Sequence, residues 1–176
     1  MMSSNIKPAY EHGNAGTALF NLCAAATEFL VRHKKLYYIL ACTWGSIMTF
    51  IGLLVSGSLY LVKSKAKFNI TFKPYNFIYS ISVGPDYWGG CNLGLCFLRD
   101  QKSDDSVAAH EFGHTFQNCI FGPLFPFLVA IPSAARWWDR ELNKDKKFAP
   151  YDSAWFEDAA TQCGQYAVKV LSNSEV

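Results

Sequence analysis

Hydrophobic and polar positions change rhythm several times along the chain, and each change predicts an element. Residues 1–14 are polar, with Pro8 and Gly13, and predict a loosely ordered lead-in. Residues 15–31 are small and apolar, interrupted by Asn21 and Glu28, and predict a helix. Residues 36–62, LYYILACTWGSIMTFIGLLVSGSLYLV, form a run of 27 positions without a charge. As one helix that run would be about 40 Å long, more than the roughly 30 Å of a hydrocarbon core. Tyr37, Tyr38 and Tyr60 near its ends match an aromatic belt. The expectation is a transmembrane helix. The helix before it is expected to lie in the membrane interface, because it is short for a crossing and Glu28 would be costly inside one.

Past residue 62 the period drops to two. Phe68, Ile70 and Phe72 alternate with Asn69, Thr71 and Lys73, and Pro74 breaks the run. Phe77, Tyr79, Ile81 and Val83 then alternate with Ile78, Ser80 and Ser82, giving a second strand. A third is expected over residues 92–98, where Gly94 marks a bulge or a close backbone approach. Helical spacing returns over residues 104–121, with Asp104 or Ser103 as N-cap and Gly122-Pro123 as a stop. Residues 121–138 are apolar but hold Pro123, Pro126 and Pro132, too many for a straight helix. They predict a bent segment that covers the core or dips into the membrane surface. A short helix over 134–142, a polar loop over 143–150 and a last helix over about 152–171 complete the pattern. The resulting division is an N-terminal polar and interfacial segment (1–35), a transmembrane helix (36–62) and an α+β domain (63–176).

Composition agrees with a membrane setting: 51% of residues are hydrophobic, 16% aromatic and only 17% charged. The net charge of +2 and short basic knots without interleaved aromatics give no reason to expect nucleic acid. Arg32, Lys34 and Lys35 precede the long apolar run and Lys63, Lys65 and Lys67 follow it, so charge does not set its orientation. The six cysteines lack Cys-x-x-Cys spacing and read as packing thiols, with a Cys91–Cys96 bridge as the alternative.

Chemistry concentrates in the 104–121 helix, which carries His110-Glu111-Phe112-Gly113-His114. Histidines four apart share one helix face and can hold a metal ion between them. Glu111 lies beside that face, within reach of a metal-bound water. Two nitrogen ligands, one general base and one open position make a hydrolytic zinc site. Chance would produce the motif in this composition only about 0.003 times. A stable site needs a third protein ligand, and the downstream acids are Asp139, Glu141, Asp145, Asp152, Glu157, Asp158 and Glu175. Glu157 is favoured, because Ala160, Thr161 and Gly164 would let its helix approach the histidine helix closely; Asp158 is the next choice.

His110-Glu111-x-x-His114, followed 43 residues later by Glu157-x-x-Ala160, resembles the zincin metallopeptidases whose third ligand is a glutamate on a second helix. HEFGHTFQ, Gly122-Pro123, Pro132-Ser133 and Trp155-Phe156-Glu157 with Gly164 are similar, more narrowly, to small membrane-associated bacterial zincin-like proteins, over about residues 89–165. The resemblance implies a minimal zincin-like domain with Zn2+ on His110, His114 and Glu157 and with Glu111 as base. Many members of that branch carry an acidic residue four positions after the ligand glutamate, buttressing a zinc histidine. Here Thr161 stands there, and its hydroxyl accepts an imidazole N–H without supplying charge. Tyr151 and Tyr166 are the candidates for stabilising an oxyanion.

The expected activity is peptide-bond hydrolysis by a single-pass membrane protein. Zinc lowers the pKa of its water and polarises the carbonyl, while Glu111 moves the proton to the leaving amine. A peptide or protein substrate would lie along Leu93, Gly94 and Leu95 as an added strand. Two other readings use the same residues. One is a non-catalytic membrane protein with a structural or degenerate metal site. The other is an intramembrane zinc protease, against which the polar residues Asp104, Asp105, Thr115, Gln117 and Asn118 around the ligands argue.

Overall fold

Six helices and one four-stranded sheet form among the residues that the computed structural model describes, 5–66, 69–84 and 88–173. In chain order these are α1 (Asn14–Leu30), α2 (Lys34–Cys42), α3 (Ser46–Val62), β1 (Ile70–Tyr75), β2 (Ile78–Val83), β3 (Gly90–Leu93), β4 (Cys96–Arg99), α4 (Asp105–Phe121), α5 (Ile131–Leu142) and α6 (Trp155–Ser172). The class is α+β, as the pattern implies.

α4 is the axis of the fold. Asp104 caps it, its carboxylate accepting from the Ser106 and Val107 N–H groups, and Gly122 ends it at a φ of 51°. Phe112 and Phe116 pack with Tyr37, Phe77 and Phe97 in one core cluster. A second cluster gathers Phe20, Cys23, Ile81, Phe125, Val129 and Phe156. α6 crosses α4 at two glycines. A Cβ at Gly113 would strike the Ala160 carbonyl, and one at Gly164 would strike the Ala109 carbonyl. Without those side chains the two backbones touch, which is the close approach expected of the 157–164 face.

The sheet runs in the order β1-β2-β4-β3, with β2 and β4 parallel and the other pairs antiparallel. Two expectations are corrected here. Pro74 does not break the first strand; it pairs with Tyr79 inside β1, which is an edge strand and tolerates a missing N–H. Phe68 lies outside the described residues. The single strand expected over 92–98 is instead a hairpin, β3 and β4, turning at Gly94 with a φ of 75°. The Asn92 side chain accepts the Gly94 N–H at 3.0 Å and holds that turn. Cys91 pairs with Leu98 and Cys96 with Leu93 in this hairpin, and all six cysteines are free.

The long apolar run is not one helix either. α2 and α3 meet at 84°, and no single helix among the described residues is long and apolar enough to cross a membrane. Contacts from α4 make the break: Trp44 Nε1 donates to the Ile120 carbonyl at 3.2 Å, and Asn118 Nδ2 to that of Gly45. α2 buries Tyr37 and Ala41 against the core, while α3 buries only Met48, Thr49 and Gly52. α1, expected at a membrane interface, instead buries Phe20, Cys23, Ala24, Thr27 and Leu30 against α4 and α6. Nor is the described part of the lead-in loose: Ile6 is buried, and Ala9, Tyr10 and His12 bind the buried Asp158 carboxylate.

Between α4 and α5 the chain bends by 117° through a 3₁₀ turn (Gly122–Leu124) and a π turn (Pro126–Ala130). Pro123, Pro126 and Pro132 withhold N–H groups here, so regular α hydrogen bonding cannot continue. This is the bent segment the three prolines predict.

Candidate metal centre

His110 and His114 project from one face of α4 toward Glu157 on the first turn of α6. His110 Nε2 lies 3.1 Å from His114 Nε2 and 3.1 Å from Glu157 Oε2, and the third side, His114 Nε2 to Glu157 Oε2, is 3.4 Å. A tetrahedral zinc with bonds near 2.1 Å separates its ligand atoms by roughly 3.4 Å. The triangle therefore has the size of three corners of such a site.

The hydrogen bonds behind the ligands fix what those corners present. Gln117 Nε2 donates to the Phe156 carbonyl at 2.7 Å, which turns Oε1 toward His114 Nδ1, 2.7 Å away. His114 must then carry its proton on Nδ1. Thr161 Oγ1 donates to Asp152 Oδ2 at 3.1 Å and so accepts from His110 Nδ1 at 2.8 Å. Both imidazoles are held in the tautomer that leaves Nε2 bare. Two bare nitrogens and a carboxylate converge on one point with no donor among them. Glu157 is fully buried and neither of its oxygens accepts a conventional hydrogen bond. Such an arrangement is costly unless a cation stands at its centre. A proton is the lesser substitute. Burial disfavours charge on His114, but the Glu157 and Glu111 carboxylates outweigh it and raise its pKa to about 9. Burial likewise opposes charge on Glu157, and the two histidines override it, holding the carboxyl far below its usual range.

Glu111 is buried beside the triangle, with Oε2 unpaired and its pKa raised, chiefly by burial. Gly90 makes room for it, since a Cβ there would sit 2.6 Å from Glu111 Oε1. Asn92 Nδ2 donates to the Glu111 carbonyl at 2.9 Å and ties β3 to α4. These groups open onto a cleft of about 600 Å³, walled by β3 on one side and by the π turn and α5 on the other.

Of the residues singled out in the sequence, His110, Glu111, His114, Tyr151 and Thr161 line this cleft, and Glu157 lies just beneath it. The Tyr151 hydroxyl bonds Ser133 at 3.0 Å, and burial raises its pKa, so it stands as a neutral donor. Tyr166 is corrected: it packs against the core clusters and does not reach the cleft. Leu93, Gly94 and Leu95 are corrected too. They form the hairpin turn, where Gly94 abuts Thr49 of α3, and the part of the strand that lines the cleft is Gly90, Cys91 and Asn92. Asp158 faces away from the metal triangle, and Glu175 lies outside the described residues.

Gln117, Asn92 and Asp152 were not assigned roles from sequence. Gln117 follows His114 by one helical turn, so spacing alone could have found it. Asp152 stood only among the ligand candidates. Its part is to supply, through Thr161, the negative charge that position 161 lacks.

Compared with protein-family models, curated proteins and solved structures, the chain matches none.

Proposed function

We propose that this chain is a zinc-dependent metallopeptidase held at a membrane. The observation that carries the reading is the triangle of His110 Nε2, His114 Nε2 and Glu157 Oε2, with both Nδ1 protons already committed. Two nitrogens and one carboxylate oxygen at these separations suit zinc, and the open side faces a cleft rather than a fourth protein ligand. When bound, zinc would supply Lewis acidity at the scissile carbonyl. Glu111, buried and poised above its usual pKa, takes the proton of the attacking water and returns it to the leaving amine. Tyr151, which lines the cleft, donates to the developing oxyanion in this reading. The edge of β3 along the cleft, at Gly90, Cys91 and Asn92, supports an extended peptide laid down as an added strand.

Membrane attachment is supported by the outward side of α3, where Phe50, Leu53, Leu54 and Leu61 are all more than half exposed. Basic residues mark both ends of the α2–α3 pair, with Arg32 before it, Lys34 and Lys35 in its first turn, and Lys63 and Lys65 after it. The attachment is a bent two-helix tether rather than a straight crossing.

The test is zinc stoichiometry together with Glu111→Gln. One zinc per chain is expected in both proteins, with hydrolysis of a mixed peptide library reduced by about 10²–10⁴-fold in the variant. A zinc-loaded wild type that cleaves nothing would leave a structural metal site and remove the peptidase.

A further inference from the structure

The segment that walls the cleft has two faces. Val129, Ala130, Ser133, Ala134 and Trp137 line the cleft. Turned the other way are Leu124, Phe127, Ile131, Trp138 and Leu142, each more than half exposed. Phe127, Ile131, Trp138 and Leu142 recur at helical intervals after the bend and make one apolar stripe, with Leu124 exposed just before it. The fold does not use it: α5 has no buried residue at all. We propose that this stripe is a lipid-binding surface resting in the interfacial layer of an anionic bilayer. It presents the cleft mouth at the membrane, so that peptide substrates are segments presented at the same bilayer surface.

Three observations favour lipid over a second copy or a soluble protein. The stripe adjoins the tether, because α3 packs against the Gly122–Leu124 turn and shares a core cluster with Phe121 and Phe125 on either side of it. Two elements that each carry an outward apolar side therefore meet at that turn. Charge is arranged around them as at a headgroup layer. Lys63 and Lys65 follow α3; after α5 the exposed Lys146 and Lys147 stand beside Asp145, and Lys144 pairs with Glu141 at 3.0 Å, while no stripe residue is charged. Trp138 supplies an amphipathic ring of the kind that settles at that depth. Arg136 and Arg140, on the inner side, are instead committed to the Pro150, Tyr151 and Ala149 carbonyls and brace Tyr151 in the cleft. A wall held by lipid on one face and by Tyr151 on the other fixes the cleft mouth relative to the bilayer.

The test uses the full chain transferred from detergent into vesicles of phosphatidylcholine and phosphatidylglycerol brominated in their acyl chains. Tryptophan emission is expected to be quenched, with Trp138→Phe removing a large share of the quenchable signal. Phe127→Asp with Ile131→Asp, both exposed and so neutral for folding, is expected to cut the quenching at least twofold while melting as the wild type does. Unchanged quenching in both variants overturns the proposal. A dimer that forms without lipid and is abolished by the double substitution also overturns it and assigns the stripe to a second copy. Only the substrate class rests on the peptidase reading. For it, a peptide anchored to the vesicles by an acyl chain is expected to be cleaved at least tenfold faster than the same peptide free in solution. The double substitution should erase that preference; equal rates on both peptides in the wild type refute the substrate class. The quenching needs neither zinc nor hydrolysis, so a protein that is quenched but cleaves nothing loses the peptidase and keeps the lipid surface.

Discussion

Removing the charge on Asp152 without touching any metal ligand should weaken zinc binding. The route is His110 Nδ1 to Thr161 Oγ1 to Asp152 Oδ2, in steps of 2.8 and 3.1 Å. The carboxylate therefore lies within about 6 Å of the ring nitrogen, where Coulomb's law at an effective dielectric of about 20 gives about 3 kcal/mol between unit charges. Asp152 is only partly buried, so water screens that figure, and about half of it is a reasonable expectation for Asp152→Asn. That corresponds to roughly tenfold in zinc affinity, the lower end of the 10–100-fold range typical of residues that orient a metal ligand. Thr161→Val should cost more, up to about 100-fold, because it also frees the ring to turn and leaves an imidazole N–H without an acceptor.

The relay makes a sharper demand than either single variant. Coulomb's law acts through space, so with Val at 161 Asp152→Asn should still cost part of that tenfold, and the share that disappears is what the Thr161 hydroxyl relays. Zinc affinity for all four proteins, measured by competition with a chromophoric chelator at fixed pH and salt, closes the cycle. Melting curves of the metal-free proteins guard against a folding effect. Two independent, additive losses would refute the relay, as would an Asp152→Asn protein within about twofold of wild type, since the Coulomb estimate above would then be wrong by most of its size.

Gly164→Val should lower both the melting temperature and zinc affinity, because the new side chain meets the Ala109 carbonyl and pushes α6, with Glu157, off α4; a loss of about 3 kcal/mol or more is expected in denaturant titration. Gly57→Ala, where nothing lies within 4 Å of the new methyl, should instead be neutral or stabilising by about 0.5–1 kcal/mol. Asp158→Ala should destabilise the metal-free fold by about 3 kcal/mol, by stranding His12 and the Ala9 and Tyr10 N–H groups, while the protein that remains folded still binds one zinc. In the metal-free protein the His114–Glu157 pair contributes stability that is lost as pH rises from the ordinary histidine value of 6.5 through about 9. On the acid side the contribution is lost as pH falls below the ordinary carboxyl value of 4.5, so it is greatest between the two. Zinc must displace the proton that His114 holds up to about pH 9, so calorimetry near pH 7 in buffers of different ionisation heat should report close to one proton released per zinc.

What the sequence disclosed of the site, and what it hid, divides along one physical line. His110, Glu111 and His114 were legible because helical spacing alone carries them to one face, and Glu157 because the small residues Ala160 and Gly164 mark where a helix can come close. Each of those inferences needs only the geometry of one element. Thr161 was recognisable as the odd residue in its position, but its partner Asp152 belongs to a separate turn that only tertiary packing brings alongside. The same limit explains the larger misreadings. Residues 36–62 have the length and apolarity of a straight span, and nothing local in Thr43-Trp44-Gly45 forbids one. The break is made from outside, by Asn118 and the Ile120 carbonyl at the end of α4. Likewise the polar residues 5–13 look solvated until α6 offers them the buried Asp158. The edge strand shows the boundary within a single hairpin. Gly94 marks an irregularity in the sequence, but whether a glycine bulges a strand or turns a hairpin depends on its partner residues, here the Leu93–Cys96 pair. A segment whose bend is contacted by α4 is also coupled to it. The contacts that break residues 36–62 are made by the same helix that carries His110 and His114, so the placement of the His110–His114–Glu157 triangle and the path of residues 36–62 are settled together in folding.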